Sequence, residues 1–249
     1  MKYEIHPDYL KYKAFLLTCI NHFDTQGKPF GNQKRNTLKV FQVDGLTLNI
    51  KSFKVPNIFN QIAYKFLRKS KAQRSFEYAC KLQNLKVGTP QPVAYFENAS
   101  FWLFKKSFYV SEQLECDLTY RDLVHNFSYP DFETILREFT RFTYSLHEKG
   151  VIFLDHSPGN TLIKKEKSGY SFYLVDLNRM QFGKPDFETR MKNFARLSKH
   201  KHMVEIMSDE YAKCIAANRD KVFERMWFYV QDFQKKHLRK QALKKKIKR

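Results

Sequence analysis

No apolar run in the 249-residue chain approaches the ~18 residues of a membrane-spanning helix. The amino terminus, Met1-Lys-Tyr-Glu-Ile-His-Pro7, lacks the apolar centre of a signal peptide. Four cysteines are present, Cys19, Cys80, Cys116 and Cys214, and none forms a Cys-x-x-Cys pair. That scatter argues against a disulfide framework and fits reduced, structural thiols in a cytoplasmic protein. Internal repeats are absent. Acidic residues are scarce: 25 Asp and Glu face 45 Lys and Arg, a formal charge of +20. An excess of this size implies a polyanionic partner, whether nucleic acid, an anionic membrane or a phosphorylated substrate, and does not choose among them. The bases concentrate in Lys65–Lys71 with Arg74, and in the tail Lys235–Arg249.

Aromatic residues, by contrast, are abundant. With 24 Phe, 14 Tyr and 43% hydrophobic residues, the chain can bury a sizeable core, as one large domain or as two small lobes. Thr37–Val43 and Leu46–Phe53 flank Asp44-Gly45, a strong hairpin signal. A helix is predicted from about Ser70 to Leu85, broken by Gly88-Thr-Pro-Gln-Pro, and strands over Val93–Glu97, Phe101–Phe104 and Phe108–Glu112. Helical spacing then dominates over Phe132–Lys149, Phe187–Leu197 and Asp209–Lys240. The expected organisation is an amino-terminal extension over 1–30, a strand-rich lobe over 31–114 and a helical lobe over 115–249 ending in a basic helix.

The informative stretch is Gly150-Val-Ile-Phe-Leu-Asp-His-Ser-Pro-Gly-Asn160, followed by Tyr173-Leu-Val-Asp176. Ser157-Pro-Gly-Asn160 alone is first of all a turn. Thr161–Lys164 and Ser171–Val175, however, read as strands joined by the polar turn Lys165–Gly169, and such a hairpin brings Asn160 close to Asp176. An acid five positions before an amide, then a second acid after an apolar run, is the order that phosphoryl transfer needs. The first carboxylate aligns or deprotonates a hydroxyl, and the amide and second carboxylate hold a divalent cation. Asp155 to Asn160 reproduces the spacing of a protein-kinase catalytic loop, and Leu146-His147-x-x-Gly150 is the helix end that leads into one. His156 is the next candidate for the catalytic role of Asp155.

A phosphate-orienting cation is expected at Lys51, after the strand-like Leu48-Asn-Ile. Lys54 is the rival, less favoured because Val55-Pro56 should end the strand. Glu77, on the following helix, is the expected ion-pair partner of Lys51. The segment Gly27–Asn36 lacks a G-x-G-x-x-G pattern but has the glycines and bases for a cationic phosphate cover.

These residues together resemble the lipopolysaccharide-core kinases, the Kdo and heptose kinases of Gram-negative bacteria. The resemblance rests on Arg35-Asn36, Lys51-Ser-Phe-Lys, Arg68–Glu77, Gly88-Thr-Pro-Gln-Pro, Leu146-His-Glu-Lys-Gly150, Asp155–Asn160 and Val175-Asp-Leu-Asn-Arg179, and it covers roughly residues 30–200. It implies an α+β, two-lobed protein-kinase-like fold with a small strand-rich N-lobe and a helical C-lobe. It also implies ATP-dependent phosphorylation of a sugar hydroxyl of the lipopolysaccharide core at the inner face of the cytoplasmic membrane. Asp155 becomes catalytic, Asn160 and Asp176 bind Mg2+, and Lys51 and Glu77 serve the nucleotide. Glu112 and Leu114, where the halves join, are the remaining cofactor-binding residues expected.

Departures from the protein-kinase pattern bear on the substrate. Phe153-Leu154 replaces the His-Arg before the catalytic acid, Ser157 replaces a lysine, and no Ala-Pro-Glu follows Asp176. Little platform is left for docking an extended peptide. Two further readings compete: an atypical protein kinase of the Rio or Bud32 type, and a kinase-like module binding RNA or membrane without turnover. The complete set Lys51, Glu77, Asp155, Asn160 and Asp176 favours an active enzyme.

Overall fold

The computed structural model describes residues 1–31, 36–55, 57, 61, 64, 68–99 and 103–247. Parts of four expected features lie outside those residues: 32–35 of the phosphate cover, 65–67 of the first basic run, Phe101 and Trp102 of a strand, and the last two residues of the tail. By contacts the chain forms two compact units, Met1–Glu115 with Asp176–Asn178, and Cys116–Val175 with the chain from Arg179 onward.

The first unit contains β1 (Lys2–Ile5), a 3-10 helix (Pro7–Tyr12), α1 (Lys13–Asn21), β2 (Lys28–Pro29), β3 (Thr37–Val43), β4 (Leu46–Phe53), α2 (Lys71–Asn84), β5 (Pro92–Ala99) and β6 (Phe104–Glu112). Its strands make one six-stranded sheet in the order β1-β5-β6-β4-β3-β2, antiparallel throughout. Asp44 and Gly45 turn the β3–β4 hairpin with φ of 46° and 79°, the paired left-handed geometry that matches strand twist. The expected strands at Phe101–Phe104 and Phe108–Glu112 are joined, for the described residues form one strand from Phe104 to Glu112.

Alternation along β4 sets the two faces of this sheet. Leu48 and Ile50 pack with Leu16, Ile20, Phe23, Phe96, Phe108 and Val110. Residues 1–23 are thus built into the unit, with β1 as an edge strand and α1 covering one face. Phe53 points the other way, against Ala72 and Phe76 of α2 and Tyr95 of β5. Lys51 shares the parity of Phe53, and its ammonium lies 5.3 Å from the centre of the Phe53 ring. The Ser70 hydroxyl caps α2 by accepting from the Gln73 amide at 3.0 Å. The helix ends at Asn84, one residue short of the expected Leu85, and Lys86 just beyond it takes a left-handed φ of 53°.

The second unit contains β7 (Leu118–Thr119), α3 (Tyr120–His125), α4 (Phe132–Glu148), β8 (Val151–Phe153), β9 (Thr161–Glu166), β10 (Gly169–Leu174), β11 (Met180–Phe182), α5 (Phe187–Asn193), α6 (Lys201–Cys214) and α7 (Arg219–Ile247). The strands form a three-stranded sheet β10-β9-β7 and a two-stranded ladder β11-β8. Helix α4 lies where its spacing predicts, whereas α5 stops at Asn193, short of the expected Leu197. The single helix expected over Asp209–Lys240 is two, and the break falls where no glycine or proline marks it. Ala216 takes φ of 49°; Ala217 N donates to Ala212 O at 3.0 Å and Ala216 N to Lys213 O at 3.3 Å. These are the two bonds of a Schellman end built on alanine. Asn218 then accepts from the Lys221 amide at 3.0 Å and starts α7.

Phe139 of α4 sits in the core of this unit, fully buried and in ring contact with Tyr120, Phe142, His156 and Phe172. Truncating such a side chain removes its transfer free energy and leaves a cavity. Phe139→Ala should therefore lower unfolding stability by about 3–5 kcal/mol, measured by urea titration. A loss below about 1 kcal/mol would mean that this core is not the main support of the unit.

Candidate active site

The loop Asp155–Asn160 is held by backbone at both ends. Before it, β8 pairs with β11, Phe153 opposite Met180, and Leu154 N donates to Arg179 O at 3.1 Å. After it, β9 pairs with β10, Thr161 opposite Leu174, and Val175 N donates to Asn160 O at 3.0 Å. This ladder sets Asn160 across from Val175, with Asp176 next along the chain. Its turn is tighter than expected, since Glu166 already pairs with Gly169. At the helix end before the loop, Gly150 takes φ of 67° and its carbonyl accepts from Gly183 N at 2.9 Å.

Within the loop, Asn160 Nδ2 donates to the Asp155 carbonyl at 2.8 Å, so its amide oxygen is directed away from that backbone. Asp155 Oδ1 accepts from Arg196 Nη1 at 2.7 Å and from Arg179 Nη1 at 3.3 Å. Sequence reasoning missed both roles. Arg179 follows from the β8–β11 register, whereas Arg196, 41 residues beyond Asp155, gives no local signal. Asn193 was missed as well. It donates through Nδ2 to Phe153 O at 2.8 Å, and its Oδ1 lies 3.1 Å from His147 Nε2. His147 Nδ1 lies 2.7 Å from the Tyr211 hydroxyl. The end of α4 is thereby tied to the strand that enters the loop.

Asp176 has φ of 61°, the left-handed region that costs a non-glycine residue strain and often marks functional sites. Its Oδ1 accepts from Lys51 Nζ at 2.7 Å and from Asn178 Nδ2 at 2.7 Å; neither contact uses Oδ2. The expected Lys51–Glu77 pair is not formed. Glu77 is instead taken by Lys69, at 2.9 and 2.8 Å, and by Gln73 at 3.0 Å, because Lys69 lies just before the helix that carries Glu77. Lys54 falls beyond the end of β4. Glu112 accepts from the Tyr9 hydroxyl, and the Leu114 carbonyl accepts from Gln113 Nε2 at 3.2 Å.

His156 does not suit the fallback catalytic role. It is 1% exposed, between Phe139 and Phe153, and neither ring nitrogen makes a well-formed hydrogen bond among the described residues. Burial drives its pKa down to about 3, with His147 and Arg196 acting in the same direction. His147 is likewise lowered by burial, to about 4.

Among the described residues no three His, Cys, Asp or Glu side chains cluster to hold a metal ion. The oxygens of Asp176 and Asn160 are nevertheless hard donors of the kind Mg2+ takes, since that ion completes its shell with phosphate and water.

A strand-rich antiparallel unit and a helical unit carrying this loop make a mixed α and β architecture of the kinase-like class. Among solved structures, WaaP in complex with acyl carrier protein matches with a TM-score of 0.63 at 16% identity, covering 95% of this chain and 98% of that chain. No curated protein matches the sequence. The model of the lipopolysaccharide kinase (Kdo/WaaP) family matches residues 23–218. The chain belongs to that family and is a phosphotransferase of the lipopolysaccharide kinase class.

The two buried histidines make stability pH-dependent. Unfolded, each takes a proton near its ordinary value of about 6.5; folded, only near 4 and 3. Between those limits the unfolded chain binds more protons, so stability falls as pH falls, by up to about 1.4 kcal/mol per pH unit for each histidine. Urea midpoints should drop from pH 6.5 to pH 5, and His156→Leu should remove roughly half of that slope. An unchanged slope in the variant would show that His156 is not buried neutral.

Proposed function

We propose that the chain transfers the γ-phosphoryl group of ATP to a sugar hydroxyl of the lipopolysaccharide core, on Kdo or heptose, with Mg2+. The observation that carries this reading is the Asp155–Asn160 loop, pinned by two ladders, in a member of a lipopolysaccharide kinase family. Asp155, its side chain 17% exposed, aligns the acceptor hydroxyl and takes its proton as the O–P bond forms. Arg196 and Arg179 hold one oxygen of that carboxylate, which leaves the other for the substrate. Asp176 and Asn160 would hold the Mg2+, whose charge offsets that of the transferring phosphoryl group.

Lys51 orients the phosphates. Its ammonium lies 2.7 Å from Asp176 Oδ1; with ATP and Mg2+ bound, Asp176 would serve the cation and Lys51 the phosphates. Glu77 joins Lys51 only by leaving Lys69. Glu112 and Leu114 complete the nucleotide contacts. The lack of a peptide-docking segment after Asp176 supports a small or lipid-linked acceptor over a protein.

The basic tail supports a place on an anionic membrane surface. No described helix is long and apolar enough to cross a bilayer. The end of α7 is exposed, and Leu238 and Leu243 give it only a narrow apolar stripe. Attraction is then mainly electrostatic, roughly 1 kcal/mol per basic residue near the surface.

Two measurements test these assignments. Asp155→Asn should lower turnover by about 10²–10⁴-fold with nucleotide affinity little changed, and Asp176→Ala should abolish the Mg2+ dependence of ATP binding. Wild-type turnover in the first variant, or unaltered Mg2+ dependence in the second, would move the role elsewhere. In vesicle sedimentation, binding should require anionic lipid and weaken as salt shortens the screening length below about 8 Å. Indifference to lipid charge would defeat the membrane assignment, and tight salt-sensitive RNA binding would replace it with a nucleic-acid one.

A further inference from the structure

A cavity of about 560 Å3 opens in the second unit against Ser157 and Pro158 of the Asp155–Asn160 loop. Small-molecule sites usually measure about 300–1,000 Å3, so one or two sugar rings would fit. Every charged side chain on its wall is basic or imidazole: Arg121, Arg196, Lys199, His125 and His200, with no carboxylate among them. Arg196 is already committed to Asp155. Arg121 and Lys199 make no ion pair among the described residues. Arg121 lies over Gly159, where any Cβ would collide with its guanidinium. The glycine therefore gives Arg121 its place beside the loop.

The electrostatics of the wall are unbalanced. His200 is held below its ordinary pKa, first by burial and then by Lys199, His202 and His125. Like charges face one another along this wall, and only Arg196 is offset, by Asp155. Phe127, 43% exposed, stands edge-on to the rings of His200 and His202 at 4.8 and 4.5 Å and offers an apolar face at the same wall. Gln234 of α7 closes one side, and the basic run of the tail begins at the next residue.

We propose that this cavity is the acceptor subsite and that it selects a sugar bearing an anionic substituent, a carboxylate or a phosphate. The proposal rests on the kinase reading and adds the class of acceptor and the residues that recognise it. Arg121 offers a planar fork for two parallel hydrogen bonds to either anion, and Lys199 a mobile point charge. Arg196, shared between the cavity and Asp155, sets the bound sugar beside the carboxylate that aligns its hydroxyl. A neutral sugar would leave Arg121 and Lys199 unmatched.

The test uses the full chain and three short core oligosaccharides of matched length: one carrying a Kdo carboxylate, one a heptose phosphate, one neutral. Binding is measured by calorimetry without nucleotide, and phosphoryl transfer is measured separately with ATP and Mg2+. At least one anionic oligosaccharide should bind about tenfold or more tightly than the neutral one; the better of the two identifies the anion. Arg121→Gln and Lys199→Ala should each weaken that binding by about tenfold with unaltered thermal melting, whereas Lys105→Ala, on the first unit, should not. Equal binding of all three oligosaccharides, or wild-type binding in both variants, would overturn the subsite. Failure of the kinase reading shows differently, as charge-selective binding through Arg121 and Lys199 without transfer to any acceptor.

Discussion

The site depends on short antiparallel ladders that clamp one loop from both sides. β8 has only three residues and cannot be stable alone, since an isolated ladder of this size is marginal in water. It persists because Val151 and Phe153 are buried and Asn193 takes the Phe153 carbonyl. Asn193 is in turn held by His147, and His147 by Tyr211, so packing of α4 and α6 is transmitted to the backbone that positions Asp155. Burying a neutral imidazole at this junction makes the fold acid-sensitive, and the buried hydrogen bonds keep the loop in one register.

Charge is managed in two ways. In the core of the second unit, Arg137 is tied to Glu133, Asp209 and Glu210, and Arg190 to Glu148. Both cations are paired, Arg190 buried and Arg137 half-buried, and they belong to the scaffold. Around the loop the balance is different: two arginines converge on one carboxylate, and the neighbouring cavity wall carries cations with no acid among them. In a chain of net charge +20, the informative bases are those held beside the loop without acidic partners, while most of the rest are solvated.

Lys51 and Asp176 belong to one compact unit and are bonded to each other. Each satisfies the other, which avoids leaving a half-buried ammonium unpaired. Glu77 meets the same need through Lys69. Residues that match a motif by type need not pair with one another, because each charged group takes the nearest partner available.

Several features were legible in the sequence because their causes are local. The Asp44-Gly45 hairpin follows from turn chemistry, α4 from helical spacing, and the β9–β10 hairpin from alternation around a polar turn. The Asp155–Asn160 spacing and the family resemblance likewise rest on contiguous residues, and the family match bears the resemblance out. Tertiary structure decided what depends on residues far apart. The pairing of Lys2–Ile5 with β5, the Schellman end on Ala216 and the Lys69–Glu77 pairing leave no periodic trace. Nor does the convergence of Arg179 and Arg196 on Asp155, because guanidinium and carboxylate meet there through strand register and helix packing rather than spacing. Local chemistry wrote the loop into the chain; its electrostatic surroundings exist only once the second unit has folded.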